Sequence, residues 1–271
     1  MMRRVLIAGV VLCVGLAGTI MAAVVMRGRG FTAAAGGPTW SVTNTAHYLC
    51  NDNAANTTVA DASGTDTATL AGGDNTSAKS EAGKINSALH FNGSDDYFYV
   101  ASPSFIDHQS GSIVFWMKTD NIAGRQMVVC ASKDGATDDE LIIQYRGDAA
   151  DEFELLLTIN GVSAWQAQTA NGMISDTNWH HIAMTSDGST VKFYVDSTLK
   201  TLTDDIGANA GQWFGDATDA NIFSVGCLKR AAVTLPFDGL VDDVRIFDQA
   251  LTTNQIQGIY NSGNGTEADS G

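Results

Sequence analysis

From Ala46 onward the chain is written in short apolar runs of alternating character, cut every few residues by Gly, Asn, Asp or Ser. A strand points successive side chains to opposite faces, so each such run has one face to bury and needs a partner sheet. Ser112–Lys118 is strand-like, and Glu152–Ile159 opens with clean alternation. His181–Thr185 and Val191–Asp196 flank Ser186-Asp187-Gly188-Ser189, and Asp-Gly between two apolar runs signals a hairpin. Further strands are predicted at 88–92, 97–101, 126–132, 140–146, 222–228 and 239–247. One short helix is predicted, capped by Thr252, with Ile256, Ile259 and Tyr260 on its apolar side and Gly263 to end it. About ten or more strands without a long helix give an all-β fold, two antiparallel sheets packed face to face. The 28 Gly and 3 Pro suit many tight turns, and 44% hydrophobic against 17% charged residues supplies a core.

The first thirty residues are different material. Val5–Met26 carries no charge over 22 residues, with Arg3 and Arg4 before it and Arg27 and Arg29 after. As a helix it would cover about 33 Å, enough for a bilayer core of roughly 30 Å. A signal anchor is expected over 1–30; Ala33-Ala34-Ala35 leaves a cleavable signal peptide open. Either implies an exported C-terminal domain, membrane-anchored or secreted. A linker at 31–45, one domain at 46–262 and a mobile polar tail at 263–271 complete the plan. Net charge is −15, and −19 without residues 1–30, which hold four arginines and no acid. So acidic a body is no general nucleic-acid binder; it attracts divalent cations instead.

Four segments together resemble the laminin-G-like, concanavalin A-like jelly roll in its bacterial form. They are Gly83-Lys84-Ile85-Asn86-Ser87-Ala88-Leu89-His90-Phe91-Asn92-Gly93-Ser94-Asp95-Asp96-Tyr97, the Ser112–Met117 strand with Trp116, Asn178-Trp179-His180-His181-Ile182-Ala183, and Phe237-Asp238-Gly239-Leu240-Val241-Asp242-Asp243-Val244-Arg245-Ile246-Phe247. The resemblance covers about 46–262 and implies a two-sheet jelly-roll sandwich whose rim loops or concave face bind ligands. Members are mostly carbohydrate-binding or adhesive modules on exported proteins.

Read on their own chemistry, Trp116 and Trp179 are core fillers. Gly93 and Gly239 serve turns with φ > 0, and Arg245, opposite Val244 and Ile246, makes a structural ion pair. Cys50, Cys130 and Cys227 sit in apolar runs as buried thiols. The resemblance also implies a structural Ca²⁺: by position, Asp242, the carbonyl of Gly93 and a carbonyl near Asn51 would hold it, with Asp95 and Asp96 adding charge. Asp52 and Asp61 read as turn chemistry, Asp138-Asp139-Glu140 as a solvated hairpin tip, and the histidines show no zinc spacing.

Relatives on this fold include retaining glycosidases, which need two carboxylates about 5–5.5 Å apart. Here Glu152 and Glu154 share a strand face, but the next position on it is Leu156, and a solvated strand is expected. No Gly-x-Ser-x-Gly elbow, Walker loop or dinucleotide fingerprint appears. The expected function is therefore non-catalytic binding of a carbohydrate or surface partner. A structural, adhesive component and a divergent glycosidase are the alternatives. Aromatic rings stack on sugars. Trp213 and Phe214 in a Gly-rich loop, with Trp165 and Tyr145, are the candidate contacts.

Overall fold

The structure, a computed structural model, describes residues 42–136, 138–149 and 151–268. The chain divides into two units, 1–36 and 37–271, and the second contains every described residue. The expected signal segment, 1–30, and most of the linker lie outside the described residues. Among the described residues no helix is long and apolar enough to cross a membrane.

In chain order the first elements are β1 (Ala46–Tyr48), β2 (Thr58–Val59), β3 (Ala68–Ala71), α1 (Thr76–Lys79), β4 (Ser80–Ala82), β5 (Ser87–Asn92) and β6 (Tyr97–Ala101). Then come β7 (Gly111–Thr119), β8 (Arg125–Ser132), β9 (Glu140–Arg146), β10 (Glu152–Ile159) and β11 (Val162–Thr169). The hairpin β12 (His180–Ser186) and β13 (Val191–Val195) is followed by β14 (Thr198–Lys200), β15 (Leu202–Ile206) and β16 (Ile222–Val225). A small pair, β17 (Leu228–Lys229) and β18 (Val233–Thr234), precedes the long β19 (Asp238–Phe247) and α2 (Thr253–Tyr260).

Two antiparallel sheets result. One runs β14-β13-β12-β7-β19-β5-β4, with β1 also on β19; the other runs β15-β11-β10-β9-β8-β16-β6-β3-β2. The alternation decides which side chains meet between them. Phe115, Met117, Phe193 and Val241 come from the first sheet, and Tyr145, Phe153, Leu155 and Phe223 from the second, all in one buried cluster. A second cluster lies on the far side of the first sheet, where Ile256 and Ile259 of α2 pack with Val114, Tyr194 and Phe247.

Local chemistry follows the sequence closely. Asp187 accepts the amides of Ser189 and Thr190 in the β12–β13 turn, where Gly188 has φ +77°. Thr252 and Gln255 form a reciprocal cap on α2. That helix ends earlier than expected, at Asn261 with φ +48° rather than at Gly263. Gly239 is not in a turn: a Cβ there would lie 2.1 Å from the Lys118 carbonyl, so the glycine admits a neighbouring strand. Trp116 is buried as expected, whereas Trp179 is only half-buried. Cys50, Cys130 and Cys227 are buried, free thiols. The tail also departs from expectation, since Thr266 and Glu267 are bonded to the body.

Candidate functional site

The four aromatic residues expected at a contact surface are all inside the sandwich. Trp165, Tyr145 and Trp213 have no exposed surface and Phe214 has 1%. Trp165 and Tyr145 occupy inward positions of β11 and β9, opposite the outward glutamines of the same strands. Trp165 Nε1 donates to Asp204 at 2.9 Å, and the Tyr145 hydroxyl donates to the Ile122 carbonyl at 3.0 Å. The Trp213 and Phe214 rings lie 4.6 Å apart. A sugar platform needs a free ring face, so these residues are corrected to packing roles.

The outer face of the nine-stranded sheet holds a different constellation. Period-two geometry puts Glu140, Ile142, Gln144 and Arg146 on that face of β9, and Glu152, Glu154, Leu156 and Thr158 on that face of β10. Glu154 pairs with Gln144 and Glu152 with Arg146 in the ladder. Glu154 Oε1 accepts from Arg125 Nη2 at 3.3 Å and from Gln144 Nε2. Its Oε2 accepts from Arg146 Nη1 at 2.6 Å and from Gln166 Nε2 at 3.1 Å. Arg146 Nη1 also lies 3.4 Å from Glu152 Oε1. Burial pushes the Glu152 carboxyl up, opposed by Arg146 and reinforced by Glu154. The exposed ends of this network are Arg125 and Arg146, whose side chains are 37% and 22% exposed.

Further along the same face, Glu140 Oε2 lies 3.3 Å from Arg230 Nη1, and burial raises the Glu140 carboxyl. Between the two polar zones Met127, Cys130, Ile142 and Leu228 form a small apolar cluster, with Leu156 and Leu235 against it. The expectation of solvated acids therefore fails twice. Glu152 and Glu154 are buried among guanidinium and amide donors. Asp139 is buried too, accepting the amides of Asn160 and Asp219 and the Thr218 hydroxyl. The sequence signal for the network was alternate polar positions on consecutive strands: Glu140, Gln144 and Arg146, then Glu152 and Glu154.

The residues expected at a metal separate into two places. Antiparallel pairing sets Asp238 opposite Asn92 and Val241 opposite Leu89, so Asp242 runs towards Ser87, away from Gly93. Five strand residues of roughly 3.4 Å each then put Gly93 about 17 Å from Asp242's level. Asp95 stays with Gly93, its Oδ1 accepting from Asn92 Nδ2 at 2.9 Å. Gly93 and Asp95 are therefore corrected out of any site containing Asp242. Asn51 does reach that end, where its Oδ1 accepts the Ser87 amide at 2.9 Å.

Asp242 itself is fully buried. Its Oδ2 accepts the Ile85 amide at 2.8 Å, and its Oδ1 has no hydrogen-bond partner among the described residues. Burial raises its carboxyl to about 8, helped by the nearby Asp243 and Glu267 charges. An oxygen-rich setting with an orphaned buried carboxylate oxygen fits a hard cation. Asp243 next to it serves the fold. A register shift between Asp242 and Arg245, with Asp243 at φ +50°, sends both acids to the outer face. There Asp243 Oδ1 accepts from Arg245 Nε at 3.0 Å and meets His47 Nε2 at 2.7 Å. That is the structural ion pair expected of Arg245.

A separate group, His90, Asp120 and Asp238, places one ligand atom from each residue within 4.8 Å of the others. The His90 ring also meets Glu81 at 2.9 Å and Asp120 at 3.1 Å, all part-exposed. Asp61 is spent on its own turn, accepting the amides of His47, Ser63, Thr65 and Asp66.

Residues 92–257 match the profile of the Concanavalin A-like lectin/glucanases superfamily (Laminin_G_3). The chain belongs to that superfamily. The family resemblance is thus confirmed over 92–257, which takes in three of the four segments and the end of the first, and the two-sheet architecture agrees with it. No curated protein matches.

Among solved structures, the superfamily chain is similar to domain 4 of AbnA, a GH43 extracellular arabinanase from Geobacillus stearothermophilus, in complex with arabinotriose. The TM-score is 0.57 at 20% identity, covering 84% of this chain and 100% of that one. The Ruminococcus gnavus IT-sialidase CBM40 bound to α2,3 sialyllactose aligns at TM-score 0.52 and 14% identity, covering 62% and 93%. Trypanosoma rangeli sialidase in complex with the inhibitor DANA aligns at 0.56 and 15%, covering 82% of this chain but 33% of that enzyme. At these identities the likeness is one of fold.

Proposed function

We propose that this protein is a non-catalytic glycan-binding module, and that glycan docks on the outer face of the nine-stranded sheet around Arg125, Arg146 and Gln166. The observation that carries this reading is the Glu154 network. Four donors on three strands, β8, β9 and β11, converge on one buried carboxylate of β10, which fixes guanidinium and amide planes before any ligand arrives. Pre-set planar donors suit the vicinal hydroxyls of a sugar, because little side-chain entropy remains to be lost on binding. The neighbours bound to arabinotriose and to sialyllactose support the ligand class.

The same network supports the absence of catalysis. A glycosidase carboxylate must be free to attack or to hand over a proton. Both Glu154 oxygens are held by two donors each, and the other acid on that face of β10, Glu152, shares Arg146 with it. The arginine-flanked apolar run at 5–26 supports export, either tethered to a membrane or secreted.

A glycan array probed with the full chain tests the proposal. Retained glycans should be lost or weakened about tenfold in Arg125→Ala, which removes a part-exposed donor and leaves three on Glu154. Folding of the variant is checked by an unchanged thermal transition. A folded wild-type protein that retains no glycan overturns the function; a variant that binds as before moves the site off this face.

A further inference from the structure

The chain contains four Asn-Gly pairs: Asn92-Gly93, Asn160-Gly161, Asn171-Gly172 and Asn264-Gly265. Each carries the same latent chemistry. The backbone nitrogen of the glycine can attack the side-chain carboxamide carbon of the asparagine, and a glycine has no Cβ to obstruct the approach. The attack needs that nitrogen free. An amide N–H that already donates to a carbonyl must first give up the bond and turn away from it.

The fold sorts the four pairs. The Gly93 amide donates to the Phe237 carbonyl at 3.1 Å, Gly161 to Asp138 at 2.8 Å, and Gly265 to Tyr260 at 3.1 Å. Two of the asparagine side chains are tied as well. Asn92 Oδ1 accepts the amides of Ser94 and Asp95 at 2.8 and 3.1 Å, and Asn264 Nδ2 donates to the Asn261 carbonyl at 3.2 Å. Gly172 is different. Its amide has no hydrogen-bond partner among the described residues, and both Asn171 and Gly172 are exposed. A Cβ built on Gly172 would meet no atom within 4 Å. The pair lies where the chain passes from β11 in one sheet to β12 in the other. Its flanks are held: Thr169 Oγ1 accepts the Phe153 amide at 2.9 Å, and the Met173 amide donates to the Asp151 carbonyl at 2.7 Å. Ala170–Gly172 is thus an exposed stretch between two fixed points.

We propose that Asn171 is a site of spontaneous covalent modification, at which the folded protein converts this asparagine to aspartate and isoaspartate. The Gly172 nitrogen loses its proton to solvent and bonds to Asn171 Cγ. The tetrahedral carbon then expels the side-chain nitrogen, which takes up a proton and leaves as ammonia. The product is a succinimide ring. Water adds to one of its two carbonyls. Breaking the Cγ–N bond gives aspartate; breaking the bond from the Asn171 backbone carbon to Gly172 gives isoaspartate. One water is consumed and one ammonia released, and nothing is oxidised or reduced. Either product adds a negative charge to an already acidic body. Isoaspartate also lengthens the main chain by one methylene, between the two anchored flanks.

The test holds the full chain in mildly alkaline buffer, folded and, in parallel, unfolded in guanidinium chloride, with peptide mass spectrometry at intervals. Unfolded, all four pairs should convert, because their local chemistry is the same. Folded, the Asn171 peptide should convert while those of Asn92, Asn160 and Asn264 keep their asparagine. Asn171→Gln, whose longer side chain must close a larger ring, should remove the acidic species that isoelectric focusing resolves in the aged folded protein. Asn171 is exposed, so this variant keeps the wild-type melting temperature. An Asn171 that stays unchanged in the folded chain while converting in the unfolded one overturns the proposal. So does conversion of the three tied pairs as fast as Asn171 in the folded chain, or an acidic species that persists in Asn171→Gln.

Discussion

At the scale of single residues, Trp213 shows how a glycine-flanked aromatic can belong to the core. Its indole lies where a Cβ on Gly111 would come within 2.7 Å, so the glycine of β7 makes room for the ring. Its backbone amide donates to Asp216 at 2.8 Å, which starts a short 3₁₀ turn at the sheet edge. Glycines around a tryptophan can mean an exposed loop or a close approach, and only the position of the distant Gly111 separates the two. Nothing local in Gly207–Gly215 could reveal it. Trp213→Ala should therefore cost about 3–5 kcal/mol in urea unfolding, because it empties a filled site. Glycan retention by the folded fraction should be unchanged, and a stability loss below 1 kcal/mol would show that the ring is not part of the core.

Strands and helices were legible where one face is apolar and the other polar. The segments at 97–101 and 140–146 match β6 and β9 residue for residue, and the α2 cap matches Thr252. β11 and β15 were missed: their outward positions are Ser, Gln, Thr and Asp, and few inward apolar residues mark the period. The metal residues were misplaced for a related reason. Gly93 and Asp242 stand near each other in the family order, but register, which separates them by half a strand, is written in pairing and not in composition.

β12 offers a test at this scale. His180 and His181 are consecutive and face opposite sides. The hydrogen bond to Asp196, and then that to Asp176, hold the His180 pKa above its ordinary 6.5 against its partial burial. Protonated in the fold beyond pH 6.5, His180 contributes stability that is full below 6.5 and fades as pH rises through its folded value. Burial lowers His181 to about 4. Between about 6.5 and 4 the unfolded chain takes up a proton that the folded chain refuses, so stability falls on acidification through that window. Urea unfolding across pH 4–8 should show His181→Phe flattening the acid limb and His180→Gln flattening the limb above 6.5. Identical profiles in wild type and both variants would sink this assignment.

For the molecule as a whole, charge is the dominant long-range quantity. Residues 37–271 carry all thirty acids against eleven basic residues (15 − 4), and the excess negative charge repels itself. Ion pairs such as Lys79–Asp96 and Lys229–Asp134 are local and do not remove the excess. Salt should therefore stabilise: raising NaCl from about 10 mM to about 300 mM shortens the screening length from roughly 30 Å to under 10 Å. The melting temperature should rise by a few degrees in EDTA, where no divalent ion contributes. A fall with salt would mean that the surface pairs outweigh the repulsion.

The position of β19 has its own consequence. It lies inside the eight-stranded sheet, hydrogen-bonded to β7 and β5 and carrying β1 as well, yet it is the last strand to be made. A chain leaving the ribosome amino end first has β1, β5 and β7 long before it has the strand that joins them. Half a sheet with open edges is an aggregation hazard, not a resting state. Synthesis must run past Phe247 before either side of the gap can close. The nine-stranded sheet, whose strands are all made by Val225, can thus form before the eight-stranded sheet that must cover it, and its inner apolar face waits uncovered for the last strand.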